Sequence, residues 1–275
     1  MQNSIKSFTL FVRPDEKSQQ IANTIRELNS KSSSPLTETS DGDLIIAIGG
    51  DGTFIDAVTN TYFSKTKLYT GIHTGTLGFL QDLSASDIYS LIQYINFEKQ
   101  LRTRKIYVAS IIVHLKNNLT RSFFALNEIL IAGESYSKIS FSQYINGELL
   151  QNVSASGIII ASSTGDTAFS LNTHGAIDFS RNFQLACTLV APIQNATCER
   201  FISNPIICSK ITVVPKPSNN IAIIIDGKKR EINSSEIESV EVSMVDDFNY
   251  INKLEIVQYS KVNVVRNKIL GYTEW

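Results

Sequence analysis

The stretch Leu44–Thr53, LIIAIGGDGT, decides how the rest of the chain is read. Five apolar residues at positions 44–48 stop abruptly at Gly49-Gly50-Asp51-Gly52-Thr53. A short apolar run bounded by glycine reads as a strand buried on both faces. The glycines permit a tight turn and let backbone approach another group with no Cβ between them. A helix is expected from Thr53 through Phe54, Ile55, Ala57 and Val58, and its free N–H groups would favour phosphate. Asp51 is the odd member, because a carboxylate repels phosphate unless it binds a metal or accepts a hydroxyl proton. The plainer reading is a tight turn with a helix-capping Asp. The segment lacks the Lys-Ser/Thr ending of a Walker A loop, and G-x-G-x-x-G does not fit GGDGTF.

The chain has 275 residues, enough for one large domain or two modest ones. Lys and Arg total 25 against 26 Asp and Glu, so no net charge draws in nucleic acid or an acidic membrane. An apolar content of 43% argues for an ordinary folded protein. No apolar run approaches membrane-spanning length and the start, MQNSIKSF, has no signal-peptide core, so a cytoplasmic protein is expected. Cys187, Cys198 and Cys208 show no metal or CxxC spacing, and an odd number argues against a full disulfide framework.

Upstream, Phe8–Val12 reads as a strand and Asp15 to Leu28 as a helix with Ile21, Ile25 and Leu28 on one stripe. Asn29 to Asp43 is polar and reads as a loop. Downstream, Leu68–Ile72 is a second apolar run, ending in His73-Thr74-Gly75-Thr76-Leu77-Gly78-Phe79-Leu80. Two such runs ending in glycine-rich turns would meet at the carboxyl edge of an open parallel sheet, where ligands bind. His73 lacks a partner at metal spacing and is read chiefly as a hydrogen-bonding residue. Ser84 to Phe97 reads as a helix capped by Ser84 or Ser86. Residues 1–100 are thus an α/β domain.

From Arg102 the period changes. Ile106–Leu115, Ser122–Ile131, Ile139–Ile145, Glu148–Val153, Leu185–Val190, Ile206–Val214, Ala222–Ile225, Val240–Val245 and Leu254–Tyr259 read as strands. Asn146-Gly147 and Asp226-Gly227 are hairpin-turn signals. Residues 101–275 are thus a β-rich domain, with the extreme C-terminus a candidate to pack back on the first. Two places interrupt the texture. Asn127-Glu128 puts a polar pair inside an apolar strand, as an edge position or bulge would. In GIIIASSTGDTAFSLNTHGAI, 157–177, a strand runs into Ser162–Thr167, and a helix is expected through Ala168, Phe169 and Leu171. Its hydroxyl-rich start would suit a phosphate or ribose, or be an ordinary cap.

In their order along the chain, GGDGT at 49–53, GIHTGTLGFL at 71–80, LNE at 126–128, GIIIASSTGDTAF at 157–169, APIQNATCERFISNPII at 191–207 and IDG at 225–227 resemble the NAD kinase family. GGDGT alone is shared with diacylglycerol and sphingoid kinases; the ordered set is more specific and covers nearly the whole chain. The resemblance implies an NAD kinase/diacylglycerol kinase-like fold and transfer of the terminal phosphate of ATP, or of polyphosphate, to the 2′-hydroxyl of the adenosine ribose of NAD. It implies a divalent cation, Mg²⁺ or Mn²⁺, bound mainly through the donor phosphates, and a homodimer or homotetramer. By position it makes Asp51 the catalytic acceptor of the hydroxyl proton. Gly49, Gly50, Gly52 and Thr53 become the phosphate cradle. Asp51, Gly52, Phe79, Asn127, Glu128, Thr164, Thr167, Ala168, Phe169 and Asp226 become the residues of the NAD site, much of it in the β-rich domain.

The family's usual D-G-L-I-V-S-T-P-T-G-S-T-A-Y is altered here. Ser156 stands for the first Asp, Ser163 for Pro, Asp166 for Ser and Phe169 for Tyr. Asn195-Ala196 replaces a Pro-His pair. Ser156 is expected to alter the grip on the nicotinamide end. Asp166 is expected to cost affinity unless it binds metal or points away from bound phosphates. His73, Ser156 and Asp166 are accordingly divergent positions that line the site on this reading. A non-catalytic NAD- or NADP-binding relative and a kinase with another acceptor are the alternatives.

Overall fold

A computed structural model describes residues 5–75, 78–97, 101–180, 184–194, 200–217, 219–244, 249–256 and 260–271. Leu44–Gly49 forms the strand expected of it, and all six of its residues are buried. It lies between Ser7–Val12 and Leu68–His73 and runs parallel to both, so each face meets packing and its apolar run is continuous. The chain divides into two units by its contacts, Met1–Ile106 with Tyr250–Trp275, and Tyr107–Asn249.

Among the described residues the first unit is built on a sheet ordered Thr37–Glu38, Ser7–Val12, Leu44–Gly49, Leu68–His73, Tyr250–Leu254, Thr103–Tyr107. Its helices are Glu16–Ser30, Asp51–Asn60, Ile88–Phe97 and Lys261–Lys268. The first is capped by Asp15, which accepts from Ser18 N–H. Ile88–Phe97 follows a tight turn in which Ser84 and Asp87 cap one another.

Three expectations change here. The helix after the glycine turn starts at Asp51 rather than Thr53, because extended Gly50 serves as its N-cap and Thr53 N–H already donates to Gly50 O (2.9 Å). The loop 29–43 carries a short strand, Thr37–Glu38, paired with Ser7 and Phe8. Finally, Leu254–Tyr259 was expected as a strand of the β-rich half. The strand is instead Tyr250–Leu254, and it runs parallel to Leu68–His73 inside the α/β sheet; residues 257–259 lie outside the described residues. Its Lys253 is fully buried and ion-paired to Asp82, in the loop that follows Leu68–His73.

The second unit has two antiparallel sheets. One is ordered Glu148–Ala155, Ile139–Ile145, Lys210–Pro215, Ile237–Ser243, Ala109–Leu115, Thr120–Ala125. The other is ordered Ile206–Cys208, Leu185–Val190, Gly157–Ala161, Glu128–Gly133, Ile221–Ile225, Lys228–Lys229. Both contribute to one apolar core, including Ile111, Val113, Phe141, Ile158, Ile160 and Val240. Ala109–Leu115 alternates buried and half-buried residues, as a one-sided strand does. The run expected as one strand over Ser122–Ile131 is two strands in different sheets, and the chain changes sheet at Leu126-Asn127. The polar pair marks that crossover.

The helix expected after Thr167 is also corrected. Gly165–Thr167 is a 3₁₀ turn, Ala168 leaves helical geometry (φ −94°, ψ −129°), and only Phe169–Asn172 is α-helical. Four residues are too few for the phosphate-binding helix start that the hydroxyl-rich sequence suggested. Cys187 and Cys208 are buried free thiols with Sγ atoms 3.5 Å apart; Cys198 and Asn195-Ala196 lie outside the described residues.

Candidate active site

In the first unit the site is built around Asp51. Standing first in its helix, Asp51 accepts hydrogen bonds from Phe79 N–H on Oδ2 (2.8 Å) and from Leu80 N–H on Oδ1 (2.9 Å). Gly78 is what allows this docking, since a Cβ there would stand 2.1 Å from Asp51 Oδ1. Gln81 Nε2 donates to Gly50 O (2.7 Å), tying the same loop to the glycine turn. The turn's residues divide by role. A Cβ at Gly49 would collide with Thr53 Oγ1 at 2.4 Å, whereas one at Gly52 would meet nothing within 4 Å among the described residues. At Gly50 it would meet Arg13 Nη1 alone, at 4.0 Å. Among the described residues the turn at Gly50 and Gly52 is thus uncrowded.

Arg13 is a neighbour that sequence reading missed. Its Nε donates to Asp15 (2.6 Å) and its Nη2 to Thr74 Oγ1 (3.1 Å). The bond to Arg13, with those from Ser18, holds Asp15 well below the usual carboxylate range. His73 shares a hydrogen bond between its Nδ1 and Gly75 O (3.0 Å), in keeping with a hydrogen-bonding role.

Beneath the loop, Lys253 Nζ donates to Leu80 O (2.5 Å) and pairs with Asp82 (2.6 Å), which also meets Arg104 at 3.4 Å. Burial pulls Lys253 down to about 8, against the pull of Asp82. Burial would raise Asp82, but Lys253 and Arg104 together hold it below the usual value. From the last helix, Lys268 Nζ lies 4.2 Å from the centroid of the Phe79 ring. A lysine inside the otherwise β-like Tyr250–Leu254 was the one sequence signal for this layer.

In the second unit Asp226 is the organiser. It sits with φ 49° in the turn after Ile221–Ile225. Its carboxylate accepts from Leu126 N–H (2.8 Å), Asn127 N–H (2.8 Å) and Glu128 N–H (3.1 Å). These bonds secure the backbone where the chain changes sheet. Ser162 holds the other side: its Oγ donates to Leu126 O (2.7 Å) and its N–H to Asn127 O (2.8 Å). Gly165 packs so closely that a Cβ would lie 2.1 Å from Asn127 O. Residues 126–128, 162–167 and 226 thus form one cluster.

Asn127 Oδ1 and Glu128 Oε2 are buried and have no hydrogen-bond partner among the described residues. Burial, reinforced by Asp226, pushes Glu128 up to about 7. Asp226 is itself raised by burial, against its three backbone donors. Thr164 N–H and Gly165 N–H both donate to Ser162 Oγ, and Thr167 Oγ1 donates to Thr164 O (3.4 Å). Ala168 is half-buried, and the Phe169 ring is exposed at 45%.

The structure gives the surroundings of two divergent positions. Asp166 is fully buried and accepts from Asp178 N–H (2.7 Å), so it faces the interior of its loop, not an open surface. Ser156 lies before Gly157–Ala161, at the opposite end of that strand from Ser162; its N–H donates to Val190 O and its carbonyl accepts from Gly133 N–H.

The ATP-NAD kinase N-terminal domain model matches residues 8–99 and the C-terminal domain model residues 126–251. An NAD kinase of Bacteroides fragilis is 34% identical over 235 residues, covering 82% of this chain and 78% of that one. The chain belongs to the NAD kinase family. A second family member, the NAD kinase of Chlorobium phaeobacteroides, is 30% identical over 253 residues, covering 89% of this chain and 83% of its own. Among solved structures, yeast NADH kinase complexed with NADH has a TM-score of 0.80 at 18% identity, covering 100% of this chain and 90% of that one. An Archaeoglobus fulgidus NAD kinase in complex with ATP gives 0.68 at 17%, covering 90% and 93%. At these identities the likeness establishes the shared fold. No three His, Cys, Asp or Glu side chains converge as a metal cage among the described residues of this family member.

Proposed function

We propose that this chain is an NAD kinase, transferring the terminal phosphate of ATP or polyphosphate to the 2′-hydroxyl of the adenosine ribose of NAD. The observation that carries the reading is the Asp51 carboxylate, fixed by two backbone N–H groups beside an uncrowded glycine turn. Each carboxylate oxygen has two lone pairs, so Phe79 and Leu80 leave one free on each. Asp51 orients the hydroxyl and takes its proton as oxygen attacks phosphorus. The uncrowded backbone at Gly50 and Gly52, with the Arg13 guanidinium beside it, receives the donor phosphates.

In the second unit Asn127 Oδ1 and Glu128 Oε2 are acceptors held ready for the ribose diol and adenine, with Thr164, Thr167, Ala168 and Phe169 lining that pocket. Asp226 acts through backbone, aiming Asn127 and Glu128. A divalent cation carried mainly by the donor phosphates is proposed on family resemblance. When bound, that cation offsets the phosphate charge. A homodimer or homotetramer is proposed on family resemblance alone.

The test is purified chain with NAD, ATP or polyphosphate, and Mg²⁺ or Mn²⁺, with NADP measured. NADP formation is expected. Calorimetric binding of NAD without any NADP would instead make the chain a dinucleotide-binding relative, and phosphorylation of a lipid with NAD left untouched would make it a kinase of another acceptor.

A further inference from the structure

We propose that the ammonium of Lys268 is a donor-phosphate contact, binding the oxygens of the phosphoryl group presented beside Asp51. This inference rests on the phosphotransfer reading above. Lys268 ends the helix Lys261–Lys268, and its Nζ sits over the Phe79 ring at 4.2 Å. The backbone N–H of the same Phe79 donates to Asp51 (2.8 Å), so the residue beneath the ammonium is tied directly to the carboxylate.

Its hydrogen-bonding capacity is unused among the described residues. Lys268 Nζ is buried and has no hydrogen-bond partner among the described residues, although an ammonium carries three donors. A ring face answers only part of that need. The carboxylates that attract it are Asp51 and Asp82. Asp51 is engaged by Phe79 and Leu80 N–H, and Asp82 by Lys253 and Arg104. Among the described residues Asp82 thus has two cationic partners of its own besides Lys268. Burial lowers Lys268 to about 8, so it stays largely protonated at neutral pH. A phosphoryl group supplies the missing acceptors.

The structural alternative is a lysine that merely closes its helix against the dipole and packs on Phe79. Calorimetry of the full chain with inorganic tripolyphosphate separates the two. Lys268→Met keeps the apolar stem and is expected to weaken tripolyphosphate about 10-fold or more at pH 7, while Lys268→Arg stays within about 3-fold of the unsubstituted chain. The unsubstituted chain should lose affinity between pH 7 and pH 9 as Lys268 deprotonates, and Lys268→Met should lack that fall. Lys253 titrates in the same range, so a pH-dependent fall that survives in Lys268→Met belongs to Lys253 and overturns the assignment. Unchanged tripolyphosphate affinity in Lys268→Met, at an unchanged melting temperature, overturns it too. If Lys268→Met melts early, Lys268→Arg decides: a folded Arg variant that loses the affinity rejects a charge role. NADP formation is assayed alongside. A chain that makes no NADP yet binds tripolyphosphate through Lys268 would sink the kinase reading and leave this contact standing.

Discussion

At the scale of single residues, the chemistry is set by how two acids are held. Replacing Asp51 by Asn presents an amide N–H₂ to one of the N–H donors of Phe79 or Leu80 and removes the proposed proton acceptor. NADP formation by Asp51→Asn is expected to fall about 100-fold or more, with NAD binding largely kept. Turnover equal to the unsubstituted chain would reject the proton-accepting role. Gly78→Ala reaches the same acid from its neighbour, because the new Cβ cannot share space with Oδ1. Displacing the carboxylate should cost on the order of 100-fold in kcat, and a normal kcat would show that its docking is dispensable.

Glu128 makes a prediction of stability rather than rate. Its carboxyl is raised from 4.5 to about 7, so the folded state holds this proton more tightly than the unfolded chain does. The stability this confers is complete below pH 4.5 and is lost as pH rises through about 7. The loss is about 3 kcal/mol between those limits. Glu128→Gln should flatten the slope, measured by denaturant midpoints at pH 5 and pH 8; an unaltered slope would assign it to Asp226, which is raised too.

At the scale of elements, Tyr250–Leu254 is the strand on which the Asp51 loop depends. Lys253 reaches from it to Leu80 O, and Leu80 N–H reaches Asp51, so one strand positions the acid through two hydrogen bonds. Removing one member of a buried ion pair leaves the other uncompensated. Lys253→Met is therefore expected to destabilise the first unit by about 3 kcal/mol or more and to lower NADP formation. A variant as stable as its parent would show that Arg104 alone satisfies Asp82. The short helix Phe169–Asn172 teaches the opposite lesson. Its Ser- and Thr-rich approach looks like a helix start, but those hydroxyls and N–H groups close a turn on Ser162. Sequence pattern could not separate these, because hydroxyl side chains serve caps and turns by the same hydrogen bonds.

At the scale of the whole molecule, the second unit is contiguous, Tyr107–Asn249, with both its sheets sharing one core. The segment 107–249 alone is expected to unfold cooperatively in denaturant; a featureless transition would show that its core is insufficient. The first unit is discontinuous, since a strand from 250–254 separates Leu68–His73 from Thr103–Tyr107 in its sheet. A chain ending at residue 249 should leave Asp82 without Lys253 and should form no NADP.

While Glu128 and Asp226 entered as site residues only through the family resemblance, the sequence by itself determined the α/β start, the β-rich body and the glycine turn with its odd acid Asp51. Those follow from local causes: a continuous apolar run, alternation, and glycine or asparagine where the backbone must turn. Only the tertiary structure decided what each acid faces. Asp51 needs N–H groups from Phe79 and Leu80, Asp226 needs those of residues 126–128 about a hundred positions away, and Asp166 turns inward to Asp178. Lys253 and Lys268 join the Asp51 loop from the far end of the chain. Charge and hydrogen bonding act through space, and the period of a sequence records only which face of an element is buried.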